Sequence, residues 1–365
     1  MLNPQDILTW LEDNVKPMRR SRAKTLADVV SAATALLGVG VLALGRAMES
    51  DTTCKHSIKR VNRFLGNGAL ETEAIAKGIF DEFAPRAGLT LVLADWTDTA
   101  NGKLLVFSLP CNGRSIPFFA KAVAKQAGDG AMIHAENEAL EALSRICACR
   151  PDVVVVADRG FGNQRWIPQT QQLGFYFVQR VSSVFFADTE KYIGKLDEMD
   201  VRRGARIRDW GYGTLGEDER IRGRLITAFD PDAKEPWYLI TNHDELSLEQ
   251  VVNIYRSRWW IENTFRDQKN RDWGLGMANV NLKDYRRYER LFYIVALAFI
   301  FLSAHGARAE EEGFDKGCKA NTRKVRVLNL LRLGHIFVRR CGTQFRQALC
   351  ALRHLATLDC APNWG

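Results

Sequence analysis

Three carboxylates stand where chemistry could be done. Asp95 closes the apolar run LTLVLAD, and Asp158 closes VVVVAD. Both runs read as strands, and ligands and catalytic groups gather at the carboxyl ends of strands in α/β sheets. An aspartate one alanine after four valines is costly to bury without a partner. A divalent cation is one such partner; an arginine or a capped helix is another. A third acid, Glu262, sits among Trp259, Trp260, Ile261 and Phe265 on a stretch of helical period. Two strand-end aspartates and a helical glutamate can hold two Mg²⁺ ions, with Mn²⁺ as a substitute, through hard oxygen ligands. One ion would activate an attacking hydroxyl and the other would stabilise the leaving oxygen of an in-line phosphoryl displacement. The chain has no Ser/His/Asp elbow, P-loop or dinucleotide-binding glycine loop.

Cations accompany the glutamate. Tyr255, Arg258, Glu262 and Lys269 follow the spacing Y-x2-R-x3-E-x6-K. Steps of three, four and seven put all of them on one face of a helix. An ordinary ion pair between Arg258 and Glu262 explains two of the residues. A phosphate-gripping face beside a metal-binding acid explains the tyrosine and the second cation as well. A second basic segment, CKHSIKRVNRFLGN (54–67), spaces Lys55, His56, Lys59, Arg60 and Arg63 helically around an apolar stripe of Ile58, Val61, Phe64 and Leu65. It is either a solvated basic face or a helix laid on DNA.

The chain that must position these residues has 365 amino acids, 46% hydrophobic and 26% charged. That is enough for two or three domains and excludes disordered and fibrous classes. Lys and Arg number 51 against 43 Asp and Glu, a net charge of +8, with a pI near 9.1. The excess favours a polyanionic partner. The eight cysteines, Cys54, Cys111, Cys147, Cys149, Cys318, Cys341, Cys350 and Cys360, show no C-x-x-C pair and no zinc spacing, which suits free thiols in a reducing compartment. The first residues carry early acids and no apolar signal core, so a cytoplasmic protein is expected. The run Leu291 to Leu302 has twelve residues, too short to span a bilayer. It reads as a buried helix, and no membrane partner is expected.

The period along the chain divides it further. Residues 1–86 read as a helical DNA-binding region. Strands are expected at 89–98, 103–110 and 114–124, with the hairpin signals Asn101-Gly102 and Asn112-Gly113 between them. A helix (134–149), a buried strand (153–160), a helix (162–173) and a strand (175–181) follow. Residues 183–236 read as an inserted, mostly β subdomain. A last strand covers 237–242. Ser247 caps one long helix over 247–270, and a second runs over 284–307. From Asp315 to the end the chain carries ten Lys/Arg against two Asp, with apolar residues at helical spacing. The fold class expected is α/β: a ribonuclease-H-like catalytic domain at 87–310 containing the β insertion, with helical N- and C-terminal regions, the latter at 311–365.

These residues resemble the DDE transposases of bacterial insertion sequences, in the family-four group whose signature is Y-x2-R-x3-E-x6-K. The resemblance covers about residues 50–305. It implies that Asp95, Asp158 and Glu262 are the catalytic metal ligands, with the β insertion lying between the second aspartate and the glutamate. It implies cleavage of transposon ends through a DNA hairpin, then strand transfer into target DNA, by a homodimer acting on double-stranded DNA near the bacterial nucleoid. It implies that Trp237, opening the last strand, stacks on a flipped base, where the alternative is a core tryptophan. It implies that Tyr255, Arg258 and Lys269 hold the surrounding phosphates. Lys59, Arg60 and Arg63 would supply DNA affinity. Two departures stand out. Asp98 in Asp95-Trp96-Thr97-Asp98 is an extra ligand or a turn residue, and Gly160 follows Arg159 where many relatives carry an acid. A nuclease without strand transfer and a catalytically silent DNA-binding derivative are the competing readings.

Overall fold

The computed structural model describes the chain apart from residues 205–206, 217–220, 230–232, 321, 325–326 and 359–365. Cys360 therefore lies outside the described residues. Five helices open the chain: α1 (Pro4–Asn14), α2 (Arg20–Leu36), α3 (Val41–Ala47), α4 (Cys54–Gly66) and α5 (Thr72–Phe83). Helix α1 starts where it does because the Asn3 side chain accepts from the Gln5 N–H and Pro4 takes the first helical position.

Three strands follow: β1 (Thr90–Asp98), β2 (Gly102–Cys111) and β3 (Arg114–Ala124). They are antiparallel, as the two Asn-Gly turns require. Helix α6 (Asp129–Ile146) leads to β4 (Val153–Ala157), and α7 (Trp166–Gln172) leads to β5 (Tyr176–Arg180). Strand β4 is buried along its whole length, which is why it is continuously apolar. It lies parallel to β1 on one side and to β5 on the other. Helix α6 ends before the position expected, leaving Cys147 buried at its end, with burial pushing the thiol up to about 12, and Cys149 exposed beyond it. No disulfide joins the described cysteines.

The insertion is β-rich. It supplies β6 (Phe186–Thr189), β7 (Tyr192–Lys195), β8 (Arg208–Leu215) and β9 (Ile221–Ala228), ahead of β10 (Trp237–Thr241). These strands join the central sheet. Among the described residues one ten-stranded sheet runs β3-β2-β1-β4-β5-β10-β9-β8-β6-β7. Strand β10 pairs antiparallel with β5 on one edge and with β9 on the other. Its second edge would otherwise leave a row of backbone donors and acceptors unpaired, and the insertion satisfies them.

The helix expected over 247–270 is two helices, α8 (Leu248–Ser257) and α9 (Trp259–Lys269). Ser247 begins the first, in a reciprocal cap with Gln250. The last helices are α10 (Arg287–Glu311), α11 (Leu330–Cys341) and α12 (Phe345–Leu358). Helix α10 is long and apolar enough to cross a membrane, but 94% of its most apolar window is buried inside the protein. Its Phe301 touches Trp10 of α1 at 5.4 Å between ring centroids and Phe345 of α12 at 5.0 Å. The basic C-terminal stretch thus has an apolar side packed on α10. Gly306 and Gly334 allow α10 and α11 to meet at backbone distance: a Cβ on Gly334 would overlap the Leu302 carbonyl, and one on Gly306 the Leu330 carbonyl.

Candidate active site

Ala94 of β1 pairs with Ala157 of β4 across the parallel ladder. Asp95 and Asp158 are the next residues on each strand, so they leave adjacent strands about 5 Å apart. Asp158 folds back on its own turn, with Oδ1 accepting from the Gly160 N–H at 2.8 Å. Gly160 therefore caps the second acid through its backbone. Asp95 Oδ1 accepts from the Trp96 N–H at 2.8 Å, and the Trp96 indole donates to Glu136 of α6 at 3.1 Å. Asp98 ends β1 in an exposed position.

Glu262 comes from α9, and a set of bonds to the β2–β3 turn explains its location. Thr264 Oγ1 accepts from the Ser115 N–H at 2.7 Å, Asn263 donates to the Gly113 carbonyl at 3.1 Å, and Arg114 pairs with Asp267 at 2.7 Å. The helix is broken just before this segment. Ser257 Oγ donates to the Ile254 carbonyl at 2.6 Å, and the Arg258 N–H reaches back only three residues, to Tyr255. Such a tightened turn separates α8 from α9.

Arg258 is 6% exposed and lies between two of the acids. Its Nη1 is 2.8 Å from Glu262 Oε1 and 3.8 Å from Asp95 Oδ2. Asp95 itself is pushed up to about 7: burial is the main cause, Arg258 opposes it, and the charges of Asp158 and Glu262 add to it. Two carboxylates therefore face one guanidinium, and the charge of Asp158 reaches the nearer aspartate. Lys269 is half-buried; burial lowers it from the usual lysine range, while Asp98 and Asp95 favour its charged form. The structure thus brings Asp95, Asp158, Glu262, Arg258 and Lys269 together.

Among the described residues no group of three His, Cys, Asp or Glu is preassembled at metal-binding spacing. The donors nevertheless suit a divalent cation. They are hard oxygens, and the cation now between two of them is a side chain.

Tyr255 is 2% exposed, and burial raises its hydroxyl pKa, so it does not present a free phosphate-gripping group in this state. Its ring meets Trp237 edge to face at 5.0 Å, and Trp237 is itself 8% exposed. A cavity of about 540 Å³ opens beside them, lined by Trp237, Trp259, Arg180, Arg256, Lys234 and Glu235. Trp259, which the sequence reading did not single out, is 53% exposed. Its ring lies 4.9 Å from the Arg258 guanidinium carbon. Its neighbours in the run WWI give no sign that it alone faces out. Arg180 pairs with Glu235 at 2.7 Å and holds that carboxylate below its usual range.

Far from this centre along the chain, α4 exposes Lys55, His56, Lys59 and Arg63 and buries Val61, Phe64 and Leu65. Arg60 departs from the expected basic face, since it pairs with Asp28 of α2 at 2.9 Å.

The family model of the transposase DDE domain matches residues 111–301. That span includes Asp158, Trp237 and Glu262 and begins after Asp95. No curated protein matches the chain.

Proposed function

Because the chain belongs to the transposase DDE-domain family, we propose that it binds transposon ends in double-stranded DNA, cuts them with divalent metal, passes through a hairpin and joins the 3′ ends to target DNA. The family carries a ribonuclease-H-like fold, and the strand order β3-β2-β1-β4-β5 agrees with one. The observation that carries the reading is Arg258 bridging Asp95 and Glu262 while its guanidinium lies against Trp259, which lines a cavity with Trp237.

In this reading Asp95, Asp158 and Glu262 hold Mg²⁺, or Mn²⁺ in its place. Bound there, the ions supply an activated attacking oxygen and a stabilised leaving oxygen for in-line displacement at phosphorus. The protein's own residues do the rest. Arg258, drawn from Glu262 toward a DNA phosphate, frees that carboxylate to turn to the aspartates. Lys269 balances charge beside Asp95. Trp237 and Trp259 offer ring faces to an extruded base, and Arg180, Arg256 and Lys234 line the same cavity as partners for its phosphates. Tyr255 backs Trp237 and joins the phosphate contacts when the cavity opens. The first five helices bind DNA through Lys59 and Arg63, and the synaptic complex is a homodimer acting in the bacterial cytoplasm at the nucleoid.

The test is gel-resolved cleavage of duplex DNA carrying the inverted repeats that flank the gene, with Mg²⁺. Nicks, hairpins and joined products are expected in that order. Nicks alone would mean a nuclease, and binding without cleavage a silent derivative.

A further inference from the structure

Helix α10 is bolted to α4 by arginines. Arg287 Nη2 donates to the Asn62 carbonyl at 2.9 Å and to Asn62 Oδ1 at 2.6 Å, and Arg290 Nε donates to the Asn67 carbonyl at 2.9 Å. On α4, Lys55, Lys59 and Arg63 step by four along one exposed row. Asn62 lies three residues past Lys59, so Arg287 enters the flank of that row. Lys283 is exposed just ahead of α10, and Arg286 is 68% exposed, engaged only at the surface by Asp284 at 3.0 Å. Arg290, behind them, is lowered from the usual arginine range by burial, and Arg286 and Arg287 add to the effect. Cations crowd here.

The crowd lies at the catalytic end of the sheet. Asn101, in the turn after β1, donates to Asn281 Oδ1 at 2.6 Å and to the Leu282 carbonyl at 3.0 Å. The chain from Asp95 to Asn101 can span at most ~20 Å. One turn of duplex is longer, about 34 Å.

We propose that Lys283 and Arg286 form a second bank of phosphate contacts, continuous with Lys55, Lys59 and Arg63, that grips a DNA duplex at the carboxylate end of the sheet. The proposal rests on the DNA-cleaving reading above and deepens it, because neither the four-residue signature nor the basic helix contains these residues. Arginine forks match phosphate oxygens, and two cationic rows on separate elements suit a backbone that runs past both. The rigid bonds from Arg287 and Arg290 to α4 keep the rows in fixed register.

The experiment measures the affinity of the full-length protein for a fluorescein-labelled duplex of arbitrary sequence over a series of KCl concentrations. The double variant K283Q/R286Q removes two exposed charges and no buried contact. It should lower the slope of log affinity against log salt by about two units, at ~0.9 per phosphate released, with an unchanged urea midpoint. An unchanged slope overturns the proposal, whether or not K59Q/R63Q lowers it. Failure of the wild-type protein to bind duplex at any salt would instead overturn the functional reading beneath it.

Discussion

Asp95 and Asp158 leave their strands side by side, one step beyond the Ala94–Ala157 pair of the parallel ladder. A register slip of one residue would send one of them to the opposite face of the sheet. The ladder is therefore what aligns the two aspartates, and the bonds of α9 to the β2–β3 turn bring the glutamate to them.

If these acids hold the metals, removing any one charge removes the reaction. Asp95→Asn, Asp158→Asn and Glu262→Gln should each abolish Mg²⁺-dependent cleavage while leaving duplex affinity within about threefold, a difference under 1 kcal/mol. Near-normal cleavage by any of the three, measured on end-labelled DNA, would remove that residue from the site.

Asp95 also makes metal-free stability depend on pH. Its folded-state pKa near 7 lies above the ordinary 3.8, so between those values the native protein holds a proton that the unfolded chain has lost. Stability then falls as pH rises through that window, and the full cost is present above it. In chelator, Asp95→Asn should gain up to about 4 kcal/mol at alkaline pH and nothing in acid. Urea unfolding at both pH values checks this, and adding Mn²⁺ should narrow the difference by stabilising the wild type alone.

If the cavity captures a base, its two tryptophans should separate base capture from cutting. Trp259 is exposed, so Trp259→Ala should leave stability within about 0.5 kcal/mol. It should slow hairpin closure roughly 5- to 150-fold, corresponding to the ~1–3 kcal/mol of one base stack, with first-strand nicking spared. Trp237→Ala would cost about 3–5 kcal/mol of stability, so Trp237→Phe is the readable variant there. An abasic substrate should partly rescue both. If nicking and hairpin closure fall together, the cavity does not capture a base.

Arg60 should behave unlike its neighbours. It holds the half-buried Asp28, whose pKa burial raises. Arg60→Met should therefore lower the urea midpoint, and Lys59→Gln with Arg63→Gln should lower the salt slope instead. A slope loss in Arg60→Met equal to that of either neighbour would place Arg60 on the DNA.

Helix contact at Gly334 leaves no room for a methyl group. Gly334→Ala should cost at least the ~1–3 kcal/mol of an overpacked core, whereas Gly317→Ala, with nothing near its Cβ position, should cost under about 0.5 kcal/mol. Thermal unfolding of the two variants gives the comparison.

What could be read from the chain alone was local. Continuous apolar runs ending in acids, with Asn-Gly between them, foretold β1 to β5 and their order. The i,i+4 spacing of Arg258 and Glu262 offered the ion pair that the structure shows, as the ordinary alternative to a phosphate-gripping face. Other features depend on partners distant in sequence. Ser115 and Thr264, which seat the glutamate's helix, are 149 residues apart, and no single-sequence pattern links them. The break at Arg258 lies inside a run of helical period, because a hydroxyl bonding to its own turn leaves no trace in hydropathy. Arg60 looked like one more cation on a basic face, since Asp28 reaches it from another helix. The sheet-extending role of the insertion was hidden because short, Gly- and Asp-rich strands do not reveal which edge they will pair with.

Phe301 sits at the middle of α10 between Trp10 and Phe345, and this shapes how the molecule can be completed. A side chain near one end of the chain and another near the opposite end bury the same ring. While the polypeptide is being made, the helix has α1 on one flank and an oily strip on the other until α11 and α12 emerge. A chain lacking those helices would therefore carry its strand-end carboxylates together with an uncovered apolar stripe prone to clumping.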